Sequence, residues 1–303
     1  MYFTGFADEA SPSIDGQIEV TRALGWKFIE ARQINGVNLH DVSEEVFEEV
    51  CGKLADAGIG VNCFGSCVAN WGWEPLDNDH FNQTRQQLER AIMRMKKLNC
   101  TMLRGMSFKA QWERPAWDKE VEKHVFAKVG TLVKICQDAG VEYLHENCNN
   151  YGGQSWKHTL KLLEYVPGLK LIFDTGNPVL NFDRSKGDEL DEMQDSFVFY
   201  SNVKEFIRYV HIKDAVCTQK KIGFSEARYT FAGEGNGRVR EVVADLLKNG
   251  YDGGFSMEPH VAAVFHDAAG SGSSMDDVKY SSYIEYGRRF EKMLNDIKAD
   301  IAK

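Results

Sequence analysis

Short apolar runs recur along this chain, and each is followed by a longer stretch in which apolar residues return every three or four positions. The short runs are YFTGF (2–6), KFIEA (27–31), GIGVNCF (58–64), TMLRG (101–105), VEYLHE (141–146), KLIFD (170–174), YVHIK (209–213) and GGFSME (253–258). Their length and their β-branched and aromatic content predict strands. Successive runs start 25 to 44 residues apart. That is too far for hairpins and about right for a strand, a helix and two loops.

The stretches between them carry helix punctuation. In SEEVFEEVCGKLADAG (43–58), Ser43 is placed to cap, acids fill the first turn, Val46, Val50 and Leu54 share a face, and Gly58 stops the helix. The segment 79–98 puts its acid early and Lys96 and Lys97 late, which suits the helix dipole. Further helices are predicted at about 117–139, 155–166, 196–207, 239–249 and 279–302, and a first one over 11–24 that starts near Pro12. Eight strands alternating with eight helices imply parallel strands joined by right-handed crossovers. The expected architecture is a (β/α)8 TIM barrel, with residues 1–303 as a single domain. A doubly wound open sheet is the rival, but GFADEA after the first strand is not a GxGxxG phosphate loop. The small-residue stretch AAGSGSSMDD (268–277) reads as a mobile loop near the barrel mouth.

Charge and composition narrow the partners. With 43% hydrophobic and 27% charged residues the chain is of globular type, and its net charge of −9 argues against nucleic acid or an anionic membrane. Lys220 and Lys221 read as a solvated loop. The opening MYFTGFADEA has no basic start or apolar core of a signal peptide, and no run approaches 18 apolar residues. The seven cysteines are scattered, and CFGSC (63–67) is neither a redox pair nor a zinc ribbon, so reduced thiols and a cytoplasmic location are expected.

In a barrel, chemistry collects at the C-terminal strand ends. Strand five ends in His145, Glu146 and Asn147; strand six gives Asp174 and Asn177; strand seven gives His211, Lys213 and Asp214; strand eight gives Glu258 and His260. Singly, Asp174 reads as a helix cap and His211 as a core histidine. Together, Glu146, Asp174, His211 and Glu258 bring three carboxylates and an imidazole to one mouth, where the carboxylates would repel unless a cation joined them. Donors without thiolate favour one divalent ion, Mn²⁺ or Mg²⁺ first, with Zn²⁺ and Co²⁺ compatible.

At these residues the chain resembles the xylose-isomerase-like TIM barrels, the sugar phosphate isomerases/epimerases whose relatives include tagatose/psicose 3-epimerases and inosose dehydratase. GFADEAS (5–11), FDTGN (173–177), VHIKD (210–214), FAGEGNGR (231–238) and EPH (258–260) carry the likeness. The resemblance implies a metal held by Glu146, Asp174, His211 and Glu258, with Glu146 and Glu258 as the catalytic acid/base pair. Where the epimerases have a His after the aspartate turn and an Arg after the ligand His, this chain has Asn177 and Lys213.

Taking a proton from the carbon beside a metal-bound carbonyl leads to an enediolate, from which isomerisation, epimerisation or loss of a β-hydroxyl all follow. The expected function is therefore isomerisation or epimerisation of a keto-sugar or related polyol. The alternative is a metal-dependent dehydratase or lyase of a keto-sugar or inosose. Lys213 and His145 are candidates to protonate a leaving hydroxyl or orient an oxyanion. Lys213 also has a reading as a partner of Glu146 or Asp214, and His145 as an outward-facing residue, because strand neighbours alternate. Asn177, His260 and Arg104 are candidate substrate ligands, and Arg104 could instead pair with Glu146. Trp71, Trp73 and Trp112 offer flat apolar surface for a sugar. The GEGNGR loop (233–238) suits a phosphate nest or simply tight turns. A DNA-repair endonuclease would want more than eight histidines and a basic groove; a non-catalytic sugar-binding barrel would not need the ligands. A homo-oligomer is compatible with the sequence.

Overall fold

The computed structural model describes residues 1–261 and 275–303. Eight parallel strands form the barrel: β1 (Tyr2–Gly5), β2 (Phe28–Ala31), β5 (Gly60–Gly65), β6 (Met102–Gly105), β7 (Glu142–Glu146), β8 (Lys170–Asp174), β9 (Ile207–Ile212) and β12 (Gly254–Met257). The ladder runs β1-β12-β9-β8-β7-β6-β5-β2, and the two end strands lie together so that the ring all but closes. Eight α-helices among the described residues surround it: α1 (Ile14–Ala23), α2 (Glu44–Ala57), α3 (Asn78–Lys97), α4 (Lys119–Asp138), α5 (Trp156–Tyr165), α6 (Ser196–Val203), α7 (Val239–Lys248) and α8 (Met275–Ile301). None of them is long and apolar enough to cross a membrane.

The first six helices, α1 to α6, begin at side chains that cap them. Ser43, Asp77, Asp118, Ser155 and Asp195 all accept backbone N–H bonds at helix starts, and Gly58 ends α2 in the left-handed conformation at φ 65°. The apolar face of α2 is centred on Phe47, Val50 and Leu54, with Val46 at its edge, a small rotation from the expected stripe. Helix α6 stops at Val203, and 204–206 continue only as a 3₁₀ turn. Strand residues alternate between two environments. Leu103, Tyr143, Phe173 and Val210 pack outward in the main core with the helices, whereas Cys63, Met102, Leu144, Ile172 and Tyr209 form a separate buried cluster inside the ring.

Two antiparallel hairpins decorate the C-terminal face. One joins β3 (Gln33–Ile34) to β4 (Val37–Asn38), and the other joins β10 (Asp214–Gln219) to β11 (Glu226–Thr230). The crossover pattern conceals them, because their short strands lie inside loops and pair with each other rather than with the barrel. Lys220 and Lys221 sit exposed at the tip of the second hairpin. Of the stretch 268–277, residues 268–274 lie outside the described residues and 275–277 open α8. All seven cysteines are free thiols.

Candidate active site

The turn after β8 shows how the site is assembled locally. Asp174 Oδ1 accepts the backbone N–H of Gly176 at 2.8 Å and of Asn177 at 2.7 Å, so the carboxylate does cap the turn. Its Oδ2 is left to face the barrel centre. Gly176 is required there, since a Cβ would lie 2.7 Å from Lys213 Cγ and 3.0 Å from the Lys213 carbonyl. Thr175 Oγ1 donates to that carbonyl at 2.7 Å and locks β9 against the turn. Asn147, one residue beyond β7, bonds both the N–H and the C=O of Asp174, at 2.7 and 3.0 Å.

The four strand-end residues converge. Glu146, Asp174, His211 and Glu258 are all buried, and each offers one donor atom within 4.8 Å of the others. His211 Nδ1 lies 3.4 Å from Glu258 Oε2 and 3.7 Å from Glu146 Oε1. Three buried atoms in this group, Asp174 Oδ2, His211 Nδ1 and Glu258 Oε2, make no well-formed hydrogen bond, although Lys213 Nζ lies within ion-pair distance of both carboxylate oxygens. Buried polar atoms without good hydrogen bonds are costly, and here they belong to one cluster. A hard divalent cation would satisfy all three, with Glu146 as fourth ligand, so the residues present fit such an ion.

Cations already balance part of the charge. Arg104 Nη1 lies 3.3 Å from Glu146 Oε2, and Lys213 Nζ lies 3.0 Å from Asp174 Oδ2 and 3.2 Å from Glu258 Oε2. Arg32 pairs with Asp8 at 2.8 Å and approaches Glu9 and Glu258 at 3.4 and 3.5 Å. Burial pushes the Glu146 carboxyl up, but Arg104 and His211 outweigh it and hold it down at about 2. Burial raises Asp174 to about 7 against the pull of Lys213, with Glu258 and Glu146 adding to the rise. Crowded carboxylates of this kind are relieved by a proton or by a metal.

Of these groups, Arg32, Arg104, Glu146, Lys213 and Glu258 line a cavity of about 500 Å³ open at the C-terminal end of the barrel. Asn177 lines it and donates to Glu146 Oε1 at 3.1 Å. Arg104, Lys213 and His260 line it as well, and Trp71 stands half exposed at its edge. His260 is held at φ 52°, a strained setting for a non-glycine residue, by its N–H to Glu9 Oε2 at 2.8 Å and by a 3.1 Å contact between its Nδ1 and Glu9 Oε1.

Three expected substrate-contacting residues are placed elsewhere. His145 turns away from the cavity, and its Nε2 meets Ser107 Oγ at 2.9 Å and Asn150 Oδ1 at 3.0 Å. Its neighbour Glu146 points inward, and alternation sends His145 outward. Burial lowers its imidazole to about 4, so it is neutral at physiological pH. Trp112 does not line the cavity; its Nε1 donates to Asn149, which does. Trp73 is half buried, bonding the Cys67 carbonyl and packing on His80. Lys213 pairs with Asp174 and Glu258 rather than with Glu146 or Asp214.

The glycine loop 233–238 is not open for a phosphate. The Asp214 carboxylate fills it, accepting N–H bonds from Gly233, Gly235, Gly237 and Ala215 at 2.8–3.0 Å. A Cβ at Gly235 or Gly237 would fall 2.4 or 2.8 Å from Asp214 Oδ1. Asp214→Ala strips four backbone donors of their acceptor. It should cost about 3 kcal/mol of stability in urea unfolding, with Asp214→Asn losing less because one oxygen remains.

Some site residues escaped the sequence reading. Glu30 lies in KFIEA, a strand whose single acid is the same signal that marked Glu146 and Glu258, but it is not at the strand end. It is buried against His211 and is taken up below. Arg32 follows the same strand. Phe224 and Tyr229 enter the cavity from the β10–β11 hairpin, and Tyr229 packs edge-on against the His260 ring with centroids 4.9 Å apart.

Comparison with known proteins agrees with this architecture. Residues 18–278 match the family described as xylose isomerase-like TIM barrel, and the chain belongs to that family. Among solved structures, a D-tagatose 3-epimerase-like protein superposes with TM-score 0.70 at 16% identity, over 99% of this chain and 100% of that one. A xylose isomerase-like TIM barrel protein from Mycobacterium smegmatis in complex with magnesium gives 0.66 at 16% identity, over 97% of each chain. A probable 3-DHS dehydratase from Bacillus anthracis gives 0.64 at 14% identity, over 93% of this chain and 97% of that one. No curated protein matches the chain.

Proposed function

We propose that the protein is a divalent-metal-dependent isomerase or epimerase of a keto-sugar or related polyol. The observation that carries this reading is the convergence of Glu146 and Glu258. They come from β7 and from the end of β12, three strands apart in the ring, and both reach the His211 Nδ1 side of the cavity floor. Carboxylates from two sides of one point can flank a bound ligand, one taking a proton and the other returning it.

Glu146, Asp174, His211 and Glu258 would hold the cation, which when bound supplies positive charge to a carbonyl and hydroxyl oxygen and so acidifies the C–H between them. The protein does the rest. Glu146 and Glu258, ionised at neutral pH, accept and return the proton at carbon. Arg104 and Lys213 place fixed positive charge beside those carboxylates and at the cavity wall, where negative charge develops on the substrate. Asn177 holds Glu146 in its rotamer. Trp71, Phe224 and Tyr229 present apolar surface that covers the reacting carbon from water. The magnesium-bound and epimerase-like structures of the same fold support the reading.

The test is a panel of ketohexoses, 3-keto-sugars and inososes incubated with the protein and Mn²⁺ in D₂O, followed by NMR, mass and ultraviolet absorbance. Deuterium should appear at the inverted or newly protonated carbon of one sugar. Lys213, in contact with both Asp174 and Glu258 at the cavity wall, favours a second reading in which an ammonium protonates a departing hydroxyl. Product lighter by one water, with rising absorbance and no epimer, would replace the first reading with that one.

A further inference from the structure

Glu30 is a carboxylate in the barrel interior, only 1% exposed, on a strand that supplies no metal ligand. It does not line the cavity and does not belong to the group of candidate ligands. Both of its oxygens instead face His211 Nε2, at 3.0 and 3.2 Å, across 181 residues of sequence. Ser256 Oγ, from β12, which pairs with the His211 strand β9, donates to Glu30 Oε2 at 2.7 Å and fixes the carboxylate. A buried acid of this kind is rare without a task.

We infer that Glu30 is a positioning residue for the metal centre: by accepting a hydrogen bond from His211 Nε2–H it leaves the Nδ1 lone pair free for the cation and strengthens divalent-ion binding. A neutral imidazole carries one donor and one acceptor nitrogen. An ionised carboxylate only accepts, so Glu30 requires the proton on Nε2, and Nδ1 becomes the acceptor. That Nδ1 is the orphaned atom facing Glu146 and Glu258. Without Glu30 the proton would move to Nδ1, where two carboxylates wait to accept it, and it would then occupy the position the cation needs. Carboxylate partners behind ligating histidines act in this way generally.

The inference rests on the metal reading, and the experiment separates the two. Chelator-stripped full-length protein is titrated with Mn²⁺ by calorimetry, as wild type, Glu30→Gln, Glu30→Met and Ser256→Ala, with folding checked by circular dichroism and urea unfolding. Wild type should bind about one ion. Affinity should fall about 10-fold in Glu30→Gln and about 100-fold in Glu30→Met, with Ser256→Ala between wild type and Glu30→Gln. In ¹⁵N-histidine-labelled protein loaded with diamagnetic Mg²⁺, the His211 proton should reside on Nε2. If Glu30→Met does not fold, Glu30→Gln and Ser256→Ala decide the matter. Folded Glu30→Gln and Ser256→Ala proteins that bind Mn²⁺ within twofold of wild type overturn the role of Glu30 alone. A wild-type protein that binds no divalent ion overturns the metal centre itself.

Discussion

Asp174→Ala should leave the purified protein without its divalent ion, where the wild type carries about one per chain. The reason is geometric. Asp174 Oδ2 is one of the three buried atoms of the cluster without a well-formed hydrogen bond, and the other two, His211 Nδ1 and Glu258 Oε2, belong to side chains held from behind, His211 by Glu30 at Nε2 and Glu258 by Arg32 and His260 at Oε1. Changes to groups that merely support a ligand cost 10–100-fold in affinity, so loss of a ligand should cost more than ~100-fold. The substitution also frees the N–H groups of Gly176 and Asn177 and removes a partner of Lys213. Asp174→Asn is therefore the control: its side-chain oxygen can keep the cap while a neutral amide replaces the charged ligand. Elemental analysis after dialysis, with unfolding curves for both variants, checks the prediction. A stoichiometric ion retained by folded Asp174→Ala would remove Asp174 from the ligand set.

The second large effect is expected at the two glutamates. Glu146→Gln and Glu258→Gln should each lower kcat by about 10²–10⁴, the range typical of a lost general acid or base, on whichever substrate the panel identifies. An amide oxygen can still ligate but does not take a proton at neutral pH, so metal occupancy should persist at least in part. If the pair works from two faces, the variants will differ in a telling way. Each should still exchange deuterium into the one epimer served by the surviving carboxylate and lose exchange into the other. A near-normal kcat in either metal-loaded variant would exclude that residue from the pair. Metal-free variants with normal folds would show that the same residue matters as a ligand.

Much of this was legible before any coordinates. A strand repeats its environment every two residues and a helix every 3.6, so local spacing alone marked eight strand–helix units within a few residues of their ends. Helix caps such as Ser43 and stops such as Gly58 are local too. The barrel rule then converts position along the chain into position in space. Residues at the C-terminal ends of parallel strands must meet at one mouth, which is why Glu146, Asp174, His211 and Glu258 could be grouped although 112 residues separate the first from the last.

What pairs with what across the ring depended on register and burial, and no local period encodes either. Glu30 meets His211 because β2 and β9 point side chains at the same level of the interior, and its position inside the strand hid it. Lys213 reaches Asp174 and Glu258, rather than its sequence neighbour Asp214, because it follows β9 with its side chain turned inward. Asp214 turns the other way and fills the glycine loop, so a segment that looked free to bind a phosphate is closed by the chain's own carboxylate. The β10–β11 hairpin brings Phe224 and Tyr229 over a cavity whose floor lies on other strands. The sequence by itself determined the barrel and the donors at its mouth, since both follow from local periodicity and one topological rule. The tertiary structure decided which charges compensate one another, which histidine faces inward and what covers the site, because those follow from packing between residues far apart in the chain.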